Sequence, residues 1–145
     1  MRAIVQRVRR GKVSVEGRII GEIHKGLVIL LGVGHNDSIT QADYLAEKIA
    51  TLRIFEDEQE KMNLSLLDIK GSALVVSQFT LYADVSRGRR PSFIDAALPD
   101  AALPLVDRFA EQLSLMGVPV ERGQFGAHML VEIENDGPVT IFLER

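Results

Sequence analysis

Met129-Leu130-Val131-Glu132-Ile133-Glu134-Asn135-Asp136-Gly137-Pro138-Val139-Thr140-Ile141-Phe142-Leu143 is the stretch on which the fold turns. Met129, Val131 and Ile133 share one face before the central hexapeptide Asn135–Thr140; Val139, Ile141 and Leu143 share one face after it. A period of two marks strands. Asp136-Gly137 between two such runs predicts an antiparallel hairpin, because Gly takes positive φ without steric cost. Pro138 removes a backbone donor where the second strand should begin, which suits only a strand's first position or an edge. Gly137-Pro138 is also one of the few bonds in the chain open to the cis form. Its main-chain carbonyls are bare of bulky side chains, so the unit can line a pocket by backbone alone. The simplest reading of the hexapeptide by itself is a turn and nothing more.

Working outward, residues 2–9 and 12–16 read as strands joined at Arg10-Gly11. Glu16-Gly17 is the next turn, and Ile19-Ile20 starts a third strand. The apolar run from Gly26 to Val33 has the length of a strand buried on both faces. Ser38 and Gln41 stand at capping-box spacing, and Ala42, Leu45, Ala46, Ile49 and Leu52 follow at helical spacing. The polar stretch from Glu56 to Lys61 reads as a surface loop. Ala73-Leu74-Val75-Val76 is an apolar strand that runs directly into Ser77, and a polar loop bearing Arg and Gly spans Asp84 to Pro91. Asp100 and Pro104 mark the start of a second helix with the stripe Ala102, Leu105, Val106, Phe109, Leu113 and Met116. Gly117 ends it, with Pro119 two residues beyond. Val118 to Glu121 reads as a short strand. The order predicts an α/β fold: a single mixed, largely antiparallel β domain with two helices covering one face.

Bulk properties are compatible with this. A chain of 145 residues suits one domain, residues 1–145, with a real core. Its 46% hydrophobic and 26% charged residues are an ordinary soluble composition. Without Cys there is neither a disulfide frame nor thiolate chemistry. The N-terminus reads at once as a strand, with no long apolar run, so neither a secretory signal nor a membrane span is expected and the cytoplasm is the default. A net charge of −3 argues against tight non-specific binding of nucleic acid. Two local basic clusters stand out: Arg7, Arg9, Arg10 and Lys12, and then Arg87, Arg89 and Arg90 around Gly88. Either can meet phosphates; by sequence alone both read more simply as solvated basic turns.

Ser77-Gln78-Phe79-Thr80-Leu81 is the second informative segment. A buried strand stops there, and two hydroxyls and an amide follow within four residues. An ordinary surface turn would carry Gly, Asn or Asp rather than Gln-Phe. The bland alternative is a strand whose polar residues face water. The Gly-x-Ser-x-Gly elbow of hydrolases is absent. His24, His35 and His128 are dispersed, tied to Ser77 or Thr80 by no recognisable spacing, and make a poor metal set. Gly32-Val33-Gly34 lacks the third glycine and helix start of a dinucleotide site. Glu132 and Glu134 fall on the face opposite Val131 and Ile133 and read as solvated rather than as a paired-carboxylate site. No metal or cofactor is expected.

Across its whole length the sequence resembles the D-aminoacyl-tRNA deacylases. The likeness rests on Gln6-Arg7-Val8, on Val75-Val76-Ser77-Gln78-Phe79-Thr80-Leu81, on Gly88-x-Arg90-Pro91-Ser92-Phe93 and on Asn135-Asp136-Gly137-Pro138-Val139-Thr140. It implies an esterase that releases D-amino acids, and glycine, from the 3′ end of tRNA, acting as a homodimer. Aminoacylated tRNA is then the partner, with neither DNA nor membrane. The resemblance assigns Gly137-Pro138, in cis, as a selector reaching into the other subunit's pocket. It assigns Ser77, Gln78, Phe79 and Thr80 to that pocket, Arg7 to holding the selector loop, Met129 to its vicinity, and Phe93 to the border of the adenosine site. Two other readings compete: a non-catalytic RNA-binding dimer, thinly supported with no Trp and two Tyr, and a structural dimer whose hairpin merely pairs subunits.

Overall fold

The first strand, β1, runs from Arg2 to Val15 without the break expected at Arg10-Gly11. Gly11 is there for packing. A Cβ at this position would lie 2.4 Å from Val28 Cγ2, so the glycine lets β1 pass close over the next layer. In the computed structural model, which describes residues 1–145, β1 is followed by β2 (Arg18–Ile23), β3 (Gly26–Gly32) and α1 (Ile39–Ala50). Next come β4 (Phe55–Glu56), β5 (Met62–Leu64), β6 (Ser72–Ser77), a 3-10 turn (Phe79–Tyr82), α2 (Pro99–Leu115), β7 (Val120–Arg122) and β8 (Leu130–Glu144).

The expected C-terminal hairpin does not form. Both halves of the opening stretch belong to the single strand β8, which pairs antiparallel with β1 from Arg2↔Glu144 to Ser14↔Leu130. The ladder jumps from Gln6↔Thr140 to Val8↔Asn135, so Asp136–Val139 bulge out opposite Arg7. Asn135 closes the bulge locally: its Oδ1 accepts from Val139 N at 3.0 Å and its Nδ2 donates to Thr140 Oγ1 at 2.9 Å. The other edge of β1 pairs antiparallel with β3 over Arg2–Val8 and with β2 over Gly11–Val15. β3–β6 and β6–β7 are parallel, which makes the sheet mixed. β8 pairs with β1 alone, so its outer edge has no partner within the chain.

Both helices cover one face, as the sequence predicts. Ala3, Val5, Leu27, Ile29, Leu31, Ala73 and Val75 from the sheet are buried against Leu45 and Ile49 of α1 and Phe109 and Leu113 of α2. Ser38 and Gln41 form the capping box at the start of α1. α2 begins at Pro99, where a missing N–H costs nothing, with Asp100 in its first turn; Pro104, expected to mark the start, lies inside the helix. Gly117, at φ +90°, closes α2: its N–H donates to Ser114 O, and that of Val118 donates to Leu113 O. Asp43 of α1 and Arg108 of α2 tie the helices together through two bonds of 2.7 and 3.0 Å. On the opposite face Val8, Val13 and Ile23 pack on Val28, Leu74 and Val76. The sheet therefore curls almost into a barrel, and β2 comes close enough to β7 that a Cβ on Gly21 would lie 3.1 Å from Arg122 O.

Candidate functional site

At the end of β6 the chain leaves the sheet at Ser77. Gln78 N still donates to Leu31 O of β3 at 2.8 Å, and the 3-10 turn follows at once. Two glycines let this turn sit tightly on β3. A Cβ on Gly32 would lie 2.9 Å from Gln78 O, and one on Gly34 would lie 2.8 Å from the Tyr82 ring. From the far side the Arg2 guanidinium stacks over Tyr82, 4.4 Å from the ring centroid, and donates to Leu81 O at 2.9 Å. The Tyr82 hydroxyl donates to the Asp37 carboxylate at 3.2 Å. Burial, and then the neighbouring Asp37 charge, push this hydroxyl well above the ordinary tyrosine range, so it stays protonated and acts as a strut.

The turn's first internal bond is donated by Leu81 N to Gln78 O at 3.2 Å. The N–H groups of Phe79 and Thr80 precede it and have no partner within the turn. Thr80 Oγ1 accepts from Gln78 Nε2. Phe79 is 58% exposed and meets Phe93 edge-on, with ring centroids 4.9 Å apart.

These residues open onto a cavity of about 530 Å³. Ser77, Gln78 and Phe79 form one wall and Phe93 with Ala96 to Pro99 a second; Phe125 to Met129 form a third. Of its 19 lining residues 14 are hydrophobic, so the space suits an apolar or ring-bearing group, with polar side chains at the strand end, Ser77 and Gln78, and at His128 on the third wall. Thr80 does not line the cavity; it is exposed on the turn beside it. Met129 lies in the wall. It does not sit beside its own chain's Gly137, which is eight residues further on, on the order of 20 Å along β8. The segments Ala96–Pro99 and Phe125–Ala127 were not singled out in the sequence, and His128 was set aside there as one of three dispersed histidines. Nothing in their residue types marks them, and only the fold brings them together.

Gly137 and Pro138 belong to the bulge, where their peptide bond is cis. Neither lines the cavity of the same chain. The bulge is three strands away from Ser77 and four pairs along the ladder, a separation on the order of 20 Å. Arg7 fixes it. This side chain continues the inward face of Ala3 and Val5 and is 5% exposed. Its Nε donates to Asp136 O at 3.1 Å, and its Nη1 donates to Ile54 O at 2.8 Å. Nη2 reaches Glu56 at 3.5 Å, and the Asp136 carboxylate lies 3.6 Å from Nε. Arg9 adds a contact to Asp136 Oδ1 at 3.1 Å.

The family model described as D-Tyr-tRNA(Tyr) deacylase matches residues 4–144. The chain belongs to the D-aminoacyl-tRNA deacylase family. A deacylase from Thermomicrobium roseum is 61% identical over 99% of this chain and 94% of its own length. One from Fervidobacterium nodosum is 59% identical over 99% of this chain and 97% of its own. Among solved structures, a c-Myc DNA unwinding element binding protein is 42% identical with a TM-score of 0.94, covering 100% of this chain and 99% of that one. A probable eukaryotic D-amino acid tRNA deacylase has the same fold at 19% identity, with a TM-score of 0.81 over 98% of this chain and 97% of its own. No helix of this deacylase is long and apolar enough to cross a membrane.

Proposed function

We propose that the cavity at the Ser77–Phe79 strand end receives the aminoacyl ester of tRNA and that the Gly137-Pro138 bulge of a second copy completes it. Family membership carries the reaction itself: water cleaves the ester of a D-aminoacyl-tRNA, releasing free tRNA and the D-amino acid. The observation that supports a shared site is the bulge. A buried arginine clamps it, yet it is on the order of 20 Å from the cavity of its own chain. A loop fixed so firmly, with no role inside the chain, suits a homodimer in which each copy serves the other.

In this arrangement the carbonyls of Gly137 and Pro138 accept hydrogen bonds from the ammonium of the amino acid. The rigid backbone leaves room on one side of the α-carbon only. An L side chain points into the bulge and clashes, a D side chain points outward, and glycine has nothing to clash. Selection by exclusion needs no side-chain pocket, so one site serves many D-amino acids.

The N–H groups of Phe79 and Thr80 face the developing oxyanion. Thr80 is a poor nucleophile here, because its hydroxyl receives a hydrogen bond from the Gln78 amide, which cannot take its proton. The 2′-hydroxyl of the terminal ribose, next to the ester, assists the attacking water instead. Phe93, stacked edge-on with Phe79, borders the terminal adenosine. The working compartment is that of tRNA, the cytoplasm. Deacylation of D- and L-tyrosyl-tRNA, with sedimentation to give the oligomeric state, tests the proposal. Fast release of D-tyrosine by a dimer is expected; equal turnover of both enantiomers, or full selectivity in a monomer, overturns it.

A further inference from the structure

The two basic clusters part company in the structure. In the first, every member has an acidic partner: Arg7 with Asp136 and Glu56, Arg9 with Asp136, Arg10 with Glu22, and Lys12 with Glu132. In the second, Arg87, Arg89 and Arg90 are exposed and form no ion pair or side-chain hydrogen bond. The loop that carries them holds one carboxylate, Asp84, whose Oδ1 accepts from Ser86 N at 2.9 Å. That bond holds the Asp84 carboxyl below its ordinary range, so the acid caps the loop's own backbone and leaves the arginines unanswered.

The loop is also held in place. Asp84 and Ser92 exchange both backbone bonds, at 2.8 and 2.9 Å, and Gly88 turns the chain at φ +70°. Phe93, the next residue after this closure, lines the cavity. Arg90 is three residues from Phe93, at most about 10 Å of chain. Three positive charges within four positions are therefore carried on a held loop that leads directly into the cavity wall at Phe93, on a chain whose net charge is −3. A general attraction for polyanions is absent, and the unpaired positive charge is local to this loop.

We infer that Arg87, Arg89 and Arg90 form a binding surface for the phosphodiester backbone of the single-stranded 3′ end of tRNA, leading the ester into the cavity. This rests on the deacylase reading for the identity of the strand. The phosphates define no base, so the contact positions the strand without reading sequence. The forked guanidinium suits phosphate oxygens better than an ammonium does, and the loop carries no Lys.

The test is binding of uncharged tRNA, by fluorescence anisotropy over a range of salt, with the wild type and the triple variant Arg87→Gln/Arg89→Gln/Arg90→Gln. Each lost contact to a single strand lowers the salt slope by about 0.7, so three lower it by about 2. From about 50 to about 200 mM salt the wild type should then lose roughly twentyfold more affinity than the variant. Triple replacement by Lys should keep most of the slope. Arg10→Gln/Lys12→Gln, which removes two charges from the paired cluster, should leave it unchanged. An unaltered slope in the Gln variant, or an equal drop in the Arg10/Lys12 variant, overturns the inference. Deacylation is measured in parallel. A wild type that binds tRNA through the loop but releases no D-amino acid would sink the deacylase reading and leave this surface standing.

Discussion

Replacing Arg7 by Met probes the bulge on which the proposed selectivity depends. The change keeps side-chain bulk and removes every donor. Two backbone carbonyls, Asp136 O and Ile54 O, then lose their partner in a buried setting. Each costs about 1–3 kcal/mol when left unpaired. Water can reach the partly exposed Asp136 side, so a total of about 3 kcal/mol is expected, below the roughly 6 kcal/mol that two fully buried carbonyls would cost at most. For a domain of this size that corresponds to a fall of about 9 °C in Tm, read by calorimetry at fixed protein concentration. Arg7→Lys keeps the charge but not the fork, so a smaller loss is expected. Selectivity provides the second reading. A bulge displaced by about 1 Å should cost the reaction about 100-fold through misplacement alone, and it should weaken exclusion of the L substrate. The D-to-L ratio of kcat/KM for tyrosyl-tRNA is therefore expected to fall. A Tm within about 2 °C of wild type together with an unchanged ratio would refute the clamp.

Other substitutions test neighbouring parts of the structure. Gly137→Ala places a Cβ 2.9 Å from both Arg7 Nη2 and Val139 Cγ2, at φ +122°; a loss of about 1–3 kcal/mol in denaturant unfolding and poorer discrimination are expected. Thr80→Ala should retain measurable deacylation, and complete loss of turnover with intact tRNA binding would instead favour a threonine nucleophile. The hydrogen bond from Arg108 holds the Asp43 carboxyl below its ordinary value of about 3.9. Its stabilising effect is therefore present above that value and disappears as pH falls through the lower folded one. Wild type should exceed Asp43→Asn in denaturant midpoint at neutral pH, with the gap closing below about pH 4; a gap constant with pH would show that the ion pair is not its source.

The sequence was most legible where structure is local. The capping box at Ser38 and the glycine stop at Gly117 are set by residues three or four apart, and both form as read. It was least legible where one signal has two physical causes. Arg10-Gly11 and Asp136-Gly137 both look like turns, because glycine and charged residues gather in turns. Gly11 instead answers the close approach of Val28, and Gly137 sits in a bulge of a strand whose two halves share one partner. Only the identity of that partner, β1, separates a bulge from a hairpin, and it lies more than a hundred residues away in sequence. The strand end at Ser77 could be read because a buried apolar run stops there. The opposite walls of the cavity, Ala96–Pro99 and Phe125–Ala127, could not, since ordinary residues become a site only through the topology that gathers them.

The outer edge of β8 is fifteen residues long and unclaimed within the chain, the kind of template on which further chains stack without limit. The four residues bulged at its middle break that template. Pro138 offers no amide hydrogen, and Asp136–Val139 form no ladder pair with β1. An approaching strand finds two short runs in place of one long one. The interruption thus also blunts the edge, and smoothing it into regular strand would leave one long template open to further pairing.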